Sequence, residues 1–418
     1  MPLRGDDLLA LAQRVAPLAS LRGVNGFLLS KAQGCRVFDA ENVAYLDFVG
    51  GGGANLLGYA NQYVLDAIRR AATTTLAAGY SVVAEVELAA LLEELLPHLC
   101  PWALTGSEVE AWELALRWCR RSTGRNRIVV FDGNRRGAVE AFQVAPLGPL
   151  GISQPLLAGI PPDVSRFARV VPWGDVGALR TVLDEVGVDV AAIVLDPLAS
   201  QFGVVPPDRQ YLADVEQAAR QVGAFLVLDE TLTGFRLGRG GAAELLGLAP
   251  DVSVFGSVLS GGVAQLGAVA WRRELEALPG DDISTPPSPI AIHAAAATLS
   301  VLRNDAVYKR LEERGAQLQS GVEALAEKFE RPLRVARVGS IFSCAFARQA
   351  VVDGRSHARA DHESWQRFHH LARENGLLLP ARSSAPAFIS HAHGVKDIEQ
   401  ALTAMEAALR RMQKEEEG

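Results

Sequence analysis

Two short apolar runs, from Phe225 to Leu228 and from Val252 to Phe255, end in polar or glycine-bearing turns at Asp229 and at Gly256-Ser257. Such runs predict buried parallel strands. Open α/β sheets hold their ligands beyond the carboxyl ends of the strands, so Asp229 and Ser257 are placed where chemistry is done. Ser257 as a nucleophile needs an adjacent base. The histidines considered for that role are His391 and His393. A third element, Thr105-Gly106-Ser107-Glu108, is a glycine-containing turn that opens a helix. It offers backbone amides and a positive dipole end to an anion. Ordinary N-capping by Ser107 would use the same residues. His357, His362, His369 and His370 lie in or near a polar helix without the spacing of a ligand set, so no metal site is predicted.

These residues need a sheet to position them. Helical stretches at Glu85 to Leu96 and Glu108 to Ser122 precede runs at Arg127 to Phe131, Ala191 to Leu195 and Ala224 to Leu228, which are themselves separated by helical stretches. That alternation predicts a parallel sheet with crossover helices. Earlier in the chain, Asp6 to Ala19 reads as an amphipathic helix. Arg36 to Phe48 reads as a hairpin turning near Glu41-Asn42. The Gly50 to Gly53 run permits unusual backbone angles, and its position predicts a backbone lying close to a site. Helices follow at Ala291 to Leu302 and Ala306 to Phe329, then strands at Leu333 to Val338 and Ile341 to Phe346. A helix at Asp361 to Glu374, a strand at Leu377 to Leu379 and a helix at Val395 to Met412 close the chain. The tail from Lys414 to Gly418 is expected to fray.

The chain has 418 residues and a net charge of -7, a length that suits two to three domains. The acidic balance argues against nucleic-acid binding, which needs clustered basic residues. No apolar run approaches the length of a membrane helix, and the start lacks the apolar core of a signal peptide. A cytoplasmic protein that does not engage membranes is expected. Cys35, Cys100, Cys119 and Cys344 are scattered, which predicts free thiols rather than disulfides or zinc. The only lysines are Lys31, Lys309, Lys328, Lys396 and Lys414, and none follows a strand of the predicted sheet.

The block Asp229-Glu230-Thr231-Leu232-Thr233-Gly234-Phe235-Arg236, then Pro250-Asp251, then Gly256-Ser257-Val258-Leu259-Ser260-Gly261-Gly262, resembles the class III aminotransferases of pyridoxal-phosphate fold type I. Within that family it is most similar to the glutamate-1-semialdehyde aminomutases. Gly23-Val24-Asn25, Thr123-Gly124-Arg125 and Phe388-Ile389-Ser390-His391-Ala392-His393 extend the resemblance over nearly the whole chain. It implies an α/β fold with a mostly parallel sheet in a large domain, at 61–303. A smaller α+β domain, 304–418, is joined by an N-terminal segment, 1–60. It implies a homodimer, with cofactor phosphate held at Thr105, Gly106 and Ser107. Ser284 or Thr285 would reach that phosphate across the dimer interface, and Asp229 would pair with the pyridine nitrogen.

The sequence departs from the family pattern at the centre of that site. The family's Schiff-base lysine position holds Ser257, and a hydroxyl forms no imine. Arg135-Arg136 stand where the family has a stacking aromatic and a histidine, and suit an anion better than a cationic ring. Gly26 and Leu29 stand where the resemblance places the Ser and Arg of a substrate carboxylate clamp, Ala385 stands where the family has a carboxyl group, and the family's Glu-Pro pair becomes Asp196-Pro197. The expected function is a repurposed, non-transaminating enzyme acting on an anionic small molecule or carrier-bound intermediate, with no covalent cofactor. The alternatives are an enzyme binding pyridoxal or pyridoxamine phosphate noncovalently, and a non-catalytic partner of an active relative.

Overall fold

The structure, a computed structural model, describes residues 10–11, 14–15, 27–75, 80–134, 137–148, 150–263, 265–275 and 285–417. Its centre is a seven-stranded sheet. In spatial order the strands are Leu99–Thr105, Gly267–Arg272, Val252–Phe255, Phe225–Asp229, Val190–Leu195, Arg127–Phe131 and Ala168–Val171. Gly267–Arg272 runs antiparallel to both neighbours, and the other pairings are parallel. All six residues of Val190–Leu195 are buried, as a strand covered by helices on both faces requires. The carboxyl edge of this sheet gathers Asp132, Asp196, Asp229 and Ser257, each just past or at the end of its strand.

The predicted parallel sheet with crossover helices is the one observed. The predicted helix after Ser107 runs Glu108–Thr123 and carries the full set of terminal signals. Ser107 caps it by accepting from the Glu110 amide. Glu108 and Glu110 stand in the first turn, Arg120 and Arg121 in the last, and Gly124 closes it at φ 65. Its inner face presses Trp118 onto Phe225 and Trp271, with ring centroids 5.1 and 5.8 Å away.

Three strands of the sheet escaped the sequence reading. Leu99–Thr105 contains Pro101, which argues against a strand unless it lies at an edge, and this strand does. Ala168–Val171 is a short edge strand interrupted by Arg169. Gly267–Arg272 follows a run of glycines without a helical spacer. A hairpin of Val144–Pro146 and Ser153–Pro155 lies beside the Ala168–Val171 edge. From it Gly151 accepts from the Val170 amide, and Ile152 forms a bridge to Arg169.

The hairpin predicted near Asn42 is present as Arg36–Asp39 and Ala44–Asp47, with Asn42 left-handed at φ 65. It joins Leu29–Gln33 in a sheet that Leu377–Leu378 completes in parallel, so the N-terminal strands pack with the C-terminal part. Leu333–Val338, Ile341–Phe346 and Ala387–Phe388 form a separate antiparallel sheet. Ala387–Phe388 was missed, being two residues long. Helices Asp305–Lys328, His362–Glu374 and Val395–Glu417 pack together on these strands.

The fraying expected at the tail is not observed. The last helix continues to Glu417, because Arg331 holds Glu416 at 3.0 Å and Arg411 holds Glu415 at 3.1 Å. The opening helix expected from Asp6 to Ala19 lies largely outside the described residues. Among the described residues, no helix is long and apolar enough to cross a membrane.

Candidate functional site

Asp229 ends its strand buried, at 6% exposure. Its Oδ1 accepts from the Thr231 amide at 3.0 Å and from the Thr231 hydroxyl at 2.5 Å. The carboxylate is thus fixed by the turn that follows it. Ser257 begins the next turn, half-buried. Its carbonyl accepts from the Ser260 hydroxyl and the Gly262 amide. No described residue hydrogen-bonds its Oγ.

The base suggested for Ser257 is not brought to it. His393 is buried in the core, 4.6 Å from the Phe48 ring centroid, and its Nδ1 accepts from the Ser390 amide at 2.9 Å. Burial pushes it down to about 4. His391 lies on a groove between helices. The group that does reach the Ser257 turn is Glu108. Its Oε2 comes so close to Gly256 that a Cβ built there would stand 2.6 Å from it. The sequence reading took Glu108 only as part of the helix-opening turn. An acid in a first helical turn is common dipole compensation, so nothing in the sequence singled it out.

The turn at Thr105-Gly106-Ser107 is engaged with its own chain. The Thr105 hydroxyl donates to the Ser107 carbonyl at 2.8 Å. The Gly106 amide donates to the Thr285 carbonyl at 3.0 Å. Ser107 Oγ accepts from Glu110 N at 3.2 Å, and the Glu110 carboxylate lies beside Gly106. Thr285 therefore meets this turn within one chain. Arg135, Arg136, Ser284 and Gly26 lie outside the described residues.

The five lysines are all exposed. Lys31 sits over Phe38, Lys328 pairs with Glu406, and none lines the cleft.

On the other side of the cleft, Asp47 holds the glycine run in place. It accepts from the amides of Val49 and Gly50 and from the Tyr59 hydroxyl at 2.7 Å. All four glycines, Gly50 to Gly53, are left-handed. A side chain on Gly53 would run into the Phe388 ring. Gly51 and Gly52 line a cavity of about 510 Å³ with Gln201, Leu232, Arg382 and Phe388. Arg382 is exposed at this cavity and no described acidic residue lines it.

Behind the cavity wall lies Arg236, 2% exposed. It donates to the carbonyls of Leu232 and Gly53 and to Ser340 Oγ, and makes no described ion pair. Burial lowers it to about 9. Its neighbour Glu230 faces the other way. It accepts from the amides of Ala242 and Ala243 and from the Thr233 hydroxyl, and caps the helix Gly241–Leu246. Burial raises Glu230 to about 7. Among the described residues, no cluster of three or more His, Cys, Asp or Glu could hold a metal.

A mostly parallel sheet with its ligand edge covered by a small α+β unit is the fold type I architecture of the pyridoxal-phosphate enzymes. The chain belongs to the class-III aminotransferase family, whose model, Aminotransferase class-III, matches residues 20–409. It is 34% identical over 403 residues to the glutamate-1-semialdehyde 2,1-aminomutase of Sorangium cellulosum (strain So ce56), covering 94% of this chain and 92% of that protein. The aminomutase of Aquifex aeolicus (strain VF5) is 32% identical over 406 residues, covering 95% and 96%. Among solved structures, an omega-transaminase from Sphaerobacter thermophilus superposes with a TM-score of 0.90 at 25% identity, covering 98% of both chains. A glutamate-1-semialdehyde-aminomutase from Pseudomonas aeruginosa PAO1 gives 0.83 at 25% identity, covering 98% of this chain and 96% of that one.

Proposed function

We propose that this chain is a class-III aminotransferase homologue that no longer transaminates. In this reading it is a repurposed enzyme of small-molecule biosynthesis, acting on an anionic small molecule or carrier-bound intermediate in the former cofactor cleft. The observation that carries the reading is Ser257, in the turn after Val252–Phe255 where the family places its lysine, with all five lysines exposed elsewhere. A Schiff-base lysine holds the aldehyde, speeds exchange with substrate amine and carries a proton. Ser257 supplies none of these.

The residues present do not fit a tethered pyridoxal phosphate. No amine lines the cleft, the Gly106 amide is committed to Thr285, and the carboxylates of Glu108 and Glu110 flank the phosphate turn. Arg382 on the cavity, with the buried Arg236 charge behind its wall, supports an anionic substrate. We also place the chain in the cytoplasm as a homodimer. Four free cysteines support the first. The exposed apolar side chains of Tyr80, Val83 and Val86 support the second.

A second reading keeps pyridoxal or pyridoxamine phosphate bound without a covalent link. The buried carboxylate of Asp229, set at the strand end where the ring nitrogen would lie, favours it. The test is incubation with pyridoxal phosphate, visible absorbance, borohydride reduction and peptide mass mapping. We expect no stoichiometric adduct. A reduced adduct on one lysine overturns the proposal, and a spectral shift without an adduct selects the second reading. Screening small carboxylates and phosphate esters by thermal shift then tests the substrate class. Arg382→Ser should weaken any cleft ligand about ten-fold.

A further inference from the structure

Away from the cleft, a second cavity of about 700 Å³ opens between the helices Gln62–Thr74, Pro289–Leu302 and Asp305–Lys328. The segment after Ser390 forms its remaining wall. Its ionisable side chains are Arg70, Arg310, His391 and Tyr63. No described aspartate or glutamate lines it, in a chain whose net charge is -7. Neither Arg70 nor Arg310 pairs with a described carboxylate, and both are exposed. Two guanidinia around one cavity raise the local potential for anions.

One further feature points the same way. Asn304, Ala306 and Val307 also line the cavity, so it abuts the first turn of the 24-residue helix Asp305–Lys328, the positive end of its dipole. The acid in that turn, Asp305, is held on Arg239 at 3.1 Å and does not line the cavity. The floor is apolar, from Ala297, Val301 and Val307, and the exposed Tyr63 ring stands at the rim.

We propose that this cavity is a binding site for a phosphate-bearing small molecule, separate from the cleft. Two guanidinia match the charge of a phosphate dianion and bind its oxygens in a planar fork. The apolar floor and Tyr63 suit an organic body attached to that phosphate. An occupant would bridge the large-domain helices to His391, three residues after Phe388 of the cleft wall.

The experiment is calorimetric titration of the full chain with inorganic pyrophosphate and, separately, with adenosine monophosphate, at matched ionic strength. The variants are Arg70→Gln, Arg310→Gln and Arg382→Gln. Both cavity arginines are exposed, so the substitutions spare the fold. We expect at least one probe to show a saturable phase weakened about ten-fold by Arg70→Gln and by Arg310→Gln, and Arg382→Gln to leave that phase unchanged while weakening only any separate phase from the cleft. Tighter binding of the nucleotide than of pyrophosphate would assign the floor to the organic body, and equal binding would assign recognition to the phosphate alone. The proposal is overturned if neither probe saturates at millimolar concentration. Binding that only Arg382→Gln weakens, or that neither cavity variant weakens, overturns it equally.

Discussion

The Arg236 guanidinium lies 5.0 Å from the centroid of the Phe388 ring and donates to the Gly53 carbonyl. One side chain from the turn after the central strand thus ties together the glycine run and the C-terminal sheet. Its charge is balanced by carbonyl dipoles, a hydroxyl and a ring face, and by no described carboxylate. Replacing it leaves two buried carbonyls without a donor. Arg236→Met should cost roughly 2–4 kcal/mol, measured by urea unfolding. Arg236→Lys should recover little, since an ammonium cannot span the same acceptors. Wild-type stability in both variants would refute the tie.

Glu230 makes a pH prediction. Its folded value, about 7, lies above the ordinary 4.5 because burial disfavours the charge. The neutral form is favoured in the folded chain. That contribution is fully present below about pH 4.5, declines as pH rises towards 7 and is gone above. The shift corresponds to roughly 3 kcal/mol. Subtracting the stability curve of Glu230→Gln from that of the wild type should show a fall of this size across the window. A flat difference would mean the carboxyl titrates normally.

His393 has the opposite sign. Burial holds it near 4, below the ordinary 6.5. The stability linked to its neutral form is present above pH 6.5 and is lost as pH falls towards 4. His393→Asn, whose side-chain oxygen can still accept from Ser390 N, should lack this acid sensitivity. Equal acid midpoints for the two proteins would argue against it.

Ser257→Lys should not restore transamination. The lysine would return, but the Glu108 carboxylate would still press on Gly256, and Gly26 and Leu29 would still stand in the expected clamp positions. Groups that act as a unit are not repaired one at a time. Turnover of a common amino donor by this variant, followed by release of keto acid, would show that the remaining site is intact.

The sheet's four parallel inner strands were legible because buried parallel strands read as continuous apolar runs, as at Val252–Phe255, whereas the antiparallel inner strand Gly267–Arg272 was not. The sheet's edges were not, because edge strands tolerate Pro101 and Arg169, the residues that break such a pattern. Asp229 and Ser257 were placed correctly at the carboxyl edge by the same rule. Glu108 and Arg382 were not identified as cleft residues. Each meets the cleft through tertiary contact with elements far away in sequence, and helical or loop periodicity carries no trace of that. His391 and His393, weighed as bases for Ser257, reach neither it nor each other's surroundings: two residues apart, His393 is sealed in the core, as its structural reading had it, and His391 faces a groove.

The strand Ala168–Val171 ends the central sheet, and such an edge is a template on which a second chain can add. Here Gly151 and Ile152 occupy that template, and the edge carries a buried guanidinium at Arg169, 8% exposed. Gly151 is left-handed, and a Cβ on it would stand 2.9 Å from the Val170 carbonyl. Gly151 thus fits where a larger residue would displace the cover on that edge. A side chain there would lift the cap and leave the bare edge open to intermolecular strand pairing, so aggregation would precede any loss of the cleft.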